Sequence, residues 1–116
     1  MMRIRTEEIA PRIHVVAPEG DVDMSTSPLL RERLSALLKG ETRGVIVDLS
    51  QVSYMDSSGI ATLVEGLQLS QRNGIKFALV GLNSAVRAAF EVAHLMEVFQ
   101  VADDISTCLV RMGLER

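Results

Sequence analysis

The chain has 116 residues, of which 47% are hydrophobic and 3% aromatic, and its formal net charge is −3. This composition excludes a disordered chain, and there is no basic stripe of the kind that nucleic-acid binders carry. No apolar run approaches the roughly 18 residues of a membrane span, and the N-terminus lacks an apolar signal core. Cys108 is the single cysteine and cannot form an internal disulfide, which fits a reducing compartment. We therefore expect one cytoplasmic domain over residues 1–116, without a membrane span or direct nucleic-acid binding.

The first segments predict an antiparallel strand pair. Residues 3–9 alternate in part between apolar and polar side chains, and residues 12–17 form a more apolar strand. Pro11 lies between them and predicts a turn. The acidic, glycine-containing segment 18–24 then predicts an exposed loop near a strand end.

A first helix is predicted to begin at Ser27, because a hydroxyl followed by Pro28 is a typical helix start. Four leucines would share its buried face, and Gly40 would cap its end in the left-handed conformation. The leucines are Leu30, Leu34, Leu37 and Leu38. Residues 45–47 are continuously apolar and β-branched, as expected of a central strand.

The rest of the chain alternates between helices and strands. A second helix is predicted over residues 57–71, with Ile60, Leu63, Val64 and Leu67 as its apolar stripe. Strands follow at 75–80 and 98–101, and the last two helices are expected to be capped by Asn83 or Ser84 and by Asp103 or Asp104. The predicted fold is α/β, a mixed, mostly parallel sheet with about four helices in the order β-β-α-β-α-β-α-β-α.

Three loops should meet at one edge of this sheet, because the carboxyl ends of parallel strands lie together. They are residues 20–24, 50–58 and 81–84. We expect them to gather a group of small polar side chains, namely Asp21, Asp23, Asp56, Ser57, Ser58, Asn83 and Ser84.

The segment Asp56-Ser57-Ser58-Gly59 stands where the second helix begins, so helix capping is its simplest interpretation. One cap needs one side chain, however, and three are present. Gly59 is also a poor helix former, costing roughly 1 kcal/mol relative to alanine. We expect this glycine to leave the backbone open to close approach by another molecule.

A serine hydrolase is disfavoured at this position. The nucleophile elbow needs glycine two residues before the serine, where Ser57 has Met55 and Ser58 has Asp56. Both histidines, His14 and His94, are predicted far from the loop. The sequence has no metal-ligand spacing and no phosphate-binding glycine motif. We expect no enzymatic activity, no metal and no cofactor.

A covalent switch is the other possibility for this corner. A phosphate on Ser58 would bring about 1.5 to 2 negative charges to a helix N-terminus, where free N–H groups and the helix dipole favour an anion. The fold should survive this change. The effect should fall on whatever molecule docks against the corner.

The stretch from Val45 to Leu67, VIVDLSQVSYMDSSGIATLVEGL, resembles the motif of the STAS domain, in particular the stand-alone bacterial anti-sigma factor antagonists. Gly20-Asp21-Val22-Asp23 resembles the family's upstream acidic segment. Residues 75–81 and 86–99 resemble its following strand, helix and strand, so the resemblance spans nearly the whole chain.

The resemblance implies a partner and a modification. An antagonist of this family binds an anti-sigma factor that is also a serine kinase of the GHKL class, and a sigma factor is released. The kinase phosphorylates the second motif serine, here Ser58, and a PP2C-type phosphatase reverses this. Asp23 matches an acidic position beside that serine. Asp56, Ser57 and Gly59 match the motif that shapes the site.

Two points stay open at the level of sequence. Ile60-Ala61-Thr62 departs from the residues often found after the motif, and we expect Thr62 to be exposed on the partner-facing side of the helix. The alternative function is that of a non-enzymatic STAS structural subunit, such as a stressosome scaffold or the cytoplasmic partner of a lipid transporter.

Overall fold

A computed structural model describes residues 2–114, which form ten helices and strands. In chain order they are β1 (Arg3–Ala10), β2 (Ile13–Val22), α1 (Ser27–Leu37), β3 (Gly44–Asp48), β4 (Val52–Met55), α2 (Ser57–Asn73), β5 (Lys76–Val80), α3 (Ser84–Val92), β6 (Gln100–Ala102) and α4 (Ile105–Met112).

The six strands form one mixed sheet in which parallel pairs predominate. Its order is β1-β2-β3-β5-β6, and β4 pairs with the far end of β2. The β1–β2 pair is antiparallel and the other pairs are parallel. The predicted fold class, the antiparallel first pair and the four helices are therefore confirmed.

The predicted element order was wrong at one point, because β4 lies inside the segment that we expected to be a loop. Its four residues, Val52–Met55, do not alternate between buried and exposed side chains, so periodicity does not reveal this strand. The loop expected at 18–24 was also too long, since β2 continues to Val22, which is fully buried. The end of β2 and strand β4 pair with each other.

Alternating strand residues supply the two faces of the sheet. Val45, Val47 and Leu79 belong to a large apolar cluster with residues of α1, α2 and α3. Ile46 and Val80 belong to a smaller cluster with residues of α4. Three helices thus cover one face and the short α4 covers part of the other.

Cys108 lies in the smaller cluster, with its thiol 3.2 Å from the sulfur of Met112. Burial raises the pKa of the Cys108 thiol to about 11, so the side chain stays protonated at neutral pH. Because the thiolate is the reactive form, this cysteine is a packing residue.

Candidate functional site

Strand β4 brings the start of α2 to the end of β2. Asp21 pairs with Tyr54 and Val22 with Met55 along this short parallel ladder. One residue later, the backbone N–H of Asp56 donates to the carbonyl of Val22 at 3.1 Å. The first turn of α2 is therefore fastened directly to the end of a buried strand.

Asp56 is the cap of helix α2. Its Oδ1 accepts from the backbone N–H of Ser58 at 2.9 Å and of Gly59 at 3.3 Å. The same oxygen accepts from the Ser58 hydroxyl at 2.6 Å. Of the three candidate capping side chains in the sequence, the aspartate alone performs this role.

These hydrogen bonds perturb the carboxylate. The Ser58 hydroxyl, followed by the Gly59 and Ser58 backbone N–H groups, holds the pKa of Asp56 below its ordinary value of 3.8. Partial desolvation and the negative charge of Asp23 oppose this shift. Asp56 is therefore ionised at neutral pH, and Asp23 is close enough for its charge to raise the Asp56 pKa slightly against this shift.

Ser57 and Ser58 differ in their surroundings. Ser57 is exposed, whereas Ser58 is partly buried. The Ser58 hydroxyl donates to Asp56, so its oxygen retains lone pairs while its proton is held by a carboxylate. The corner thus presents one free surface hydroxyl and one hydroxyl fixed in orientation.

Asp23 organises the neighbouring turn. Its Oδ1 accepts from the Ser25 hydroxyl at 2.7 Å and from the backbone N–H groups of Ser25 at 2.9 Å and Thr26 at 3.2 Å. The Ser25 hydroxyl is the main cause that lowers the pKa of Asp23 below 3.8. Asp23 is thus a second anionic group at the corner.

The remaining polar residues link the loops to β4. Asp21 Oδ1 accepts from the Ser53 hydroxyl at 3.0 Å, which ties β2 to β4. Asn83 donates through Nδ2 to the Val52 carbonyl at 2.7 Å, and its Oδ1 caps α3 by accepting from Val86. Ser84 is the exposed first residue of α3. The predicted meeting of the three loops is confirmed.

Comparison with known proteins places this arrangement in a family. The family described as STAS domain matches residues 5–108. The chain belongs to the STAS domain family. The anti-sigma-B factor antagonist of Staphylococcus aureus (strain NCTC 8325 / PS 47) is 30% identical over 90 residues, which cover 78% of this chain and 83% of that relative.

Three solved structures have the same fold. An anti-sigma factor antagonist from Mycobacterium paratuberculosis superimposes with a TM-score of 0.86 at 22% identity, covering 97% of this chain and 95% of that one. Unphosphorylated SpoIIAA gives 0.81 at 18% identity, covering 98% and 100%. The phosphorylated form of SpoIIAA from Bacillus gives 0.73 at 18% identity, covering 94% and 98%.

Gly59 has a different role in this STAS domain from the one expected. It is buried, and a Cβ at this position would lie 2.6 Å from Met55 Cγ and 2.8 Å from Val22 Cγ1. The glycine therefore allows α2 to press against the ends of β2 and β4. The expectation that it leaves the backbone open to another molecule was wrong.

The prediction that Thr62 is exposed was also wrong. Its side chain is 1% exposed, and its hydroxyl donates to the Ser58 carbonyl at 2.9 Å. It lies on the buried face of α2 together with Leu63 and Gly66, whereas Ala61 is exposed. Thr62 thus stabilises the first turns of α2 from within and cannot contact a partner.

Two apolar residues at the corner were missed as candidates. Met24 is 80% exposed and directly follows Asp23, while Tyr54 is 54% exposed and pairs with Asp21 in the β2–β4 ladder. Their signal in the sequence was a large apolar side chain directly beside polar residues, Asp23 and Ser25 at Met24 and Ser53 at Tyr54. Exposed apolar residues beside charged groups are typical of protein interfaces.

The described part of the chain shows neither a candidate metal site nor a helix that could span a membrane. Residues 2–114 contain no group of three or more His, Cys, Asp or Glu side chains that could hold a metal ion. None of the helices described is long and apolar enough to cross a membrane.

We expect Gly59→Ala to destabilise the protein by about 1 to 3 kcal/mol, because the added methyl group overpacks the contact with Val22 and Met55. Urea unfolding followed by circular dichroism measures the change. Ser57→Ala, at an exposed position of the same turn, is the matched control and should be nearly neutral. Helix propensity alone predicts a gain of roughly 1 kcal/mol for Gly59→Ala, so an increase in stability would contradict this packing role.

We expect Ser58→Ala to raise the pKa of the Asp56 carboxyl, because the variant lacks the hydroxyl that contributes most to lowering it. Carbon-detected NMR titration of the aspartate carboxyl groups measures this directly, and Ser57→Ala should leave the Asp56 titration unchanged. A pKa lowered by folding stabilises the protein at pH values above the ordinary value of 3.8, and this contribution is lost as the pH falls through the lower folded value. Identical Asp56 titrations in Ser58→Ala and the unsubstituted chain would show that the hydrogen bond is not formed in solution.

Proposed function

We propose that this STAS protein is a cytoplasmic, non-enzymatic anti-sigma factor antagonist that acts as a single domain over residues 1–116. Its unmodified form binds an anti-sigma factor that is also a serine kinase of the GHKL class, and the sigma factor is released. Phosphorylation of Ser58 ends this binding, and a PP2C-type phosphatase restores it. The family membership is compatible with both functions, and the 30% identity to the anti-sigma-B factor antagonist from S. aureus supports this function over that of a structural subunit.

The observation that carries the proposal is the hydrogen bond from Ser58 to Asp56 at the start of α2. It holds a partly exposed hydroxyl in one orientation, on a backbone fixed by the Asp56–Val22 hydrogen bond and by the packing of Gly59. When a kinase binds a hydroxyl that is already fixed in orientation, less side-chain conformational freedom is lost.

Exposure alone would select Ser57, which is the more accessible of the two hydroxyl groups. The choice of Ser58 depends on the resemblance of Asp56-Ser57-Ser58-Gly59 to the family motif. SpoIIAA, which shares the fold, occurs in phosphorylated and unphosphorylated forms, so the fold is compatible with such a modification.

Phosphorylation would change the surface of the corner more than its interior. A phosphoserine oxygen has no proton to donate, so the hydrogen bond from Ser58 to Asp56 is lost. The phosphate dianion and the Asp56 carboxylate then repel each other, and the phosphate is expected to turn toward solvent. Asp56 can still accept from the backbone N–H groups of Ser58 and Gly59, so the cap is retained.

The proposed partner surface combines acidic and apolar groups. Asp21, Asp23 and Asp56 contribute negative charge, and Met24 and Tyr54 supply exposed apolar area. Ser57 lies on this surface, and Gly59 shapes it from below. A complementary partner would present basic and apolar side chains, and a new dianion would not be matched by an extra positive charge there.

Incubation with ATP and candidate GHKL kinases, followed by intact-mass analysis and site mapping, tests the proposal. We expect one phosphate on the unsubstituted chain and on Ser57→Ala, and none on Ser58→Ala. The two variants are matched controls, because each removes one hydroxyl from the same helical turn. Loss of phosphorylation in Ser57→Ala with retention in Ser58→Ala would assign the modification to the other serine.

The same samples test the effect on binding. Ser58→Ala should bind the kinase as the unsubstituted chain does, whereas the phosphorylated chain and Ser58→Asp should bind it more weakly. The thermal unfolding midpoint of Ser58→Asp should stay close to that of the unsubstituted chain. A large decrease would mean that charge at this position disrupts the fold and does not act on docking alone.

A further inference from the structure

Strand β1 is an open edge of the sheet. Within residues 2–114 it pairs with β2 on one side and has no strand on the other. Its ladder with β2 is regular from Arg3 to Glu8, and the irregularity lies between Glu8 and Ala10. Five of the six residues from Arg3 to Glu8 have exposed side chains, namely Arg3, Arg5, Thr6, Glu7 and Glu8, whereas Ile4 is half-buried.

The opposite edge of the sheet is different. Strand β6 has only three residues, and the Arg111 guanidinium donates to the Val101 carbonyl at 3.2 Å. Short edge strands and charged side chains that cover the backbone prevent pairing with other molecules. Strand β1 is eight residues long, contains no proline, and is therefore the edge that can accept another strand.

The charges along β1 are arranged in a way that complements a reversed copy of the same strand. Basic residues Arg3 and Arg5 occupy its first half, and acidic residues Glu7 and Glu8 its second half. In an antiparallel pair, side chains that lie opposite each other point to the same face of the sheet. A two-fold axis at Thr6 would place Arg5 of each copy opposite Glu7 of the other, and Thr6 opposite Thr6.

Neighbouring registers are disfavoured. A slip of one residue would place residues that point to opposite faces of the sheet across from each other, so one copy would have to be turned over to form the pair. A slip of two residues centres the axis on Arg5 or on Glu7 and places that residue opposite its own copy, so like charges meet at the axis, which is destabilising. With the axis on Arg5, Arg3 also lies opposite Glu7, but the Arg5–Arg5 pair remains. Among the registers that keep the faces of the two copies matched, the one centred on Thr6 therefore pairs opposite charges without a like-charged pair.

We propose that two copies of the chain associate through antiparallel β1–β1 pairing about a two-fold axis at Thr6, which extends the sheet across the dimer. The contact is isologous and closes at two copies. Arg5 already pairs with Glu19 of its own chain at 2.8 Å, and its remaining guanidinium donors are free to face the second copy's Glu7. None of the residues of the α2 corner belongs to β1, so the dimer does not depend on the proposed function.

Sedimentation velocity over a concentration series, from low micromolar to the solubility limit, tests the proposal. The unsubstituted chain should shift from monomer toward dimer as its concentration rises. Arg5→Glu and Glu7→Arg should each weaken the dimer, with Kd rising about tenfold, because each places two pairs of like charges across the axis. A chain that remains monomeric at every concentration overturns the proposal.

Charge reversal offers a matched rescue. In an equal mixture of Arg5→Glu and Glu7→Arg, both cross-strand pairs are again of opposite charge, so heterodimers should form where neither variant alone dimerises well. The double variant carrying both substitutions should dimerise by itself. Failure of both rescues would show that the single variants act through another contact.

A further control separates the two roles of Arg5. Glu19→Gln removes the ion pair within the chain but leaves Arg5 and Glu7 unchanged, so its dimerisation should match that of the unsubstituted chain. Circular dichroism of each variant confirms that the fold is intact. A dimer that is insensitive to Arg5→Glu and Glu7→Arg would place the interface outside β1 and overturn the proposal.

Discussion

The corner of this STAS domain depends on one carboxylate oxygen. Asp56 Oδ1 accepts from two backbone N–H groups and one hydroxyl at the start of α2, and the backbone N–H of the same residue is bonded to the end of β2. These contacts define where the helix begins, how it is attached to the sheet and how the Ser58 hydroxyl is oriented. A change at Ser58 is therefore transmitted to the cap, and a change at the cap to Ser58.

Much of this architecture could be predicted because it depends on strong local preferences. Alternation of apolar strands and amphipathic helices gave the mostly parallel sheet, and the acidic and amide caps Asp56, Asn83 and Asp104 lie where the sequence placed helix starts. The meeting of the three loops followed from parallel topology. Strand β4 was missed because its stability comes from pairing with β2, a long-range contact that four residues do not encode locally.

The two errors at the site have a common physical cause. The apolar stripe Ile60, Leu63, Val64 and Leu67 suggested which face of α2 is buried, but the face that packs most closely is lined by Gly59, Thr62, Gly66 and Ser70 together with Leu63. At Gly66, a Cβ would lie 3.1 Å from the Phe77 ring and 3.3 Å from Leu34 Cδ1. Close approach selects small residues, and a hydrophobicity pattern does not identify them.

The same close packing would allow the proposed modification of Ser58 to alter binding without unfolding the domain. The first turn of α2 is held from below by the contacts of Gly59 with Val22 and Met55 and by the hydrogen bond from Thr62 to the Ser58 carbonyl. Ser57 and Ser58 lie on the upper side of this turn, where their side chains contribute little to the core. Because the Ser58 side chain takes no part in the packing below the turn, charge can be added to it while the backbone keeps its position. A partner docked on the acidic and apolar surface would then meet a new dianion on an unchanged framework, so the free energy of repulsion is expressed in binding and not in folding.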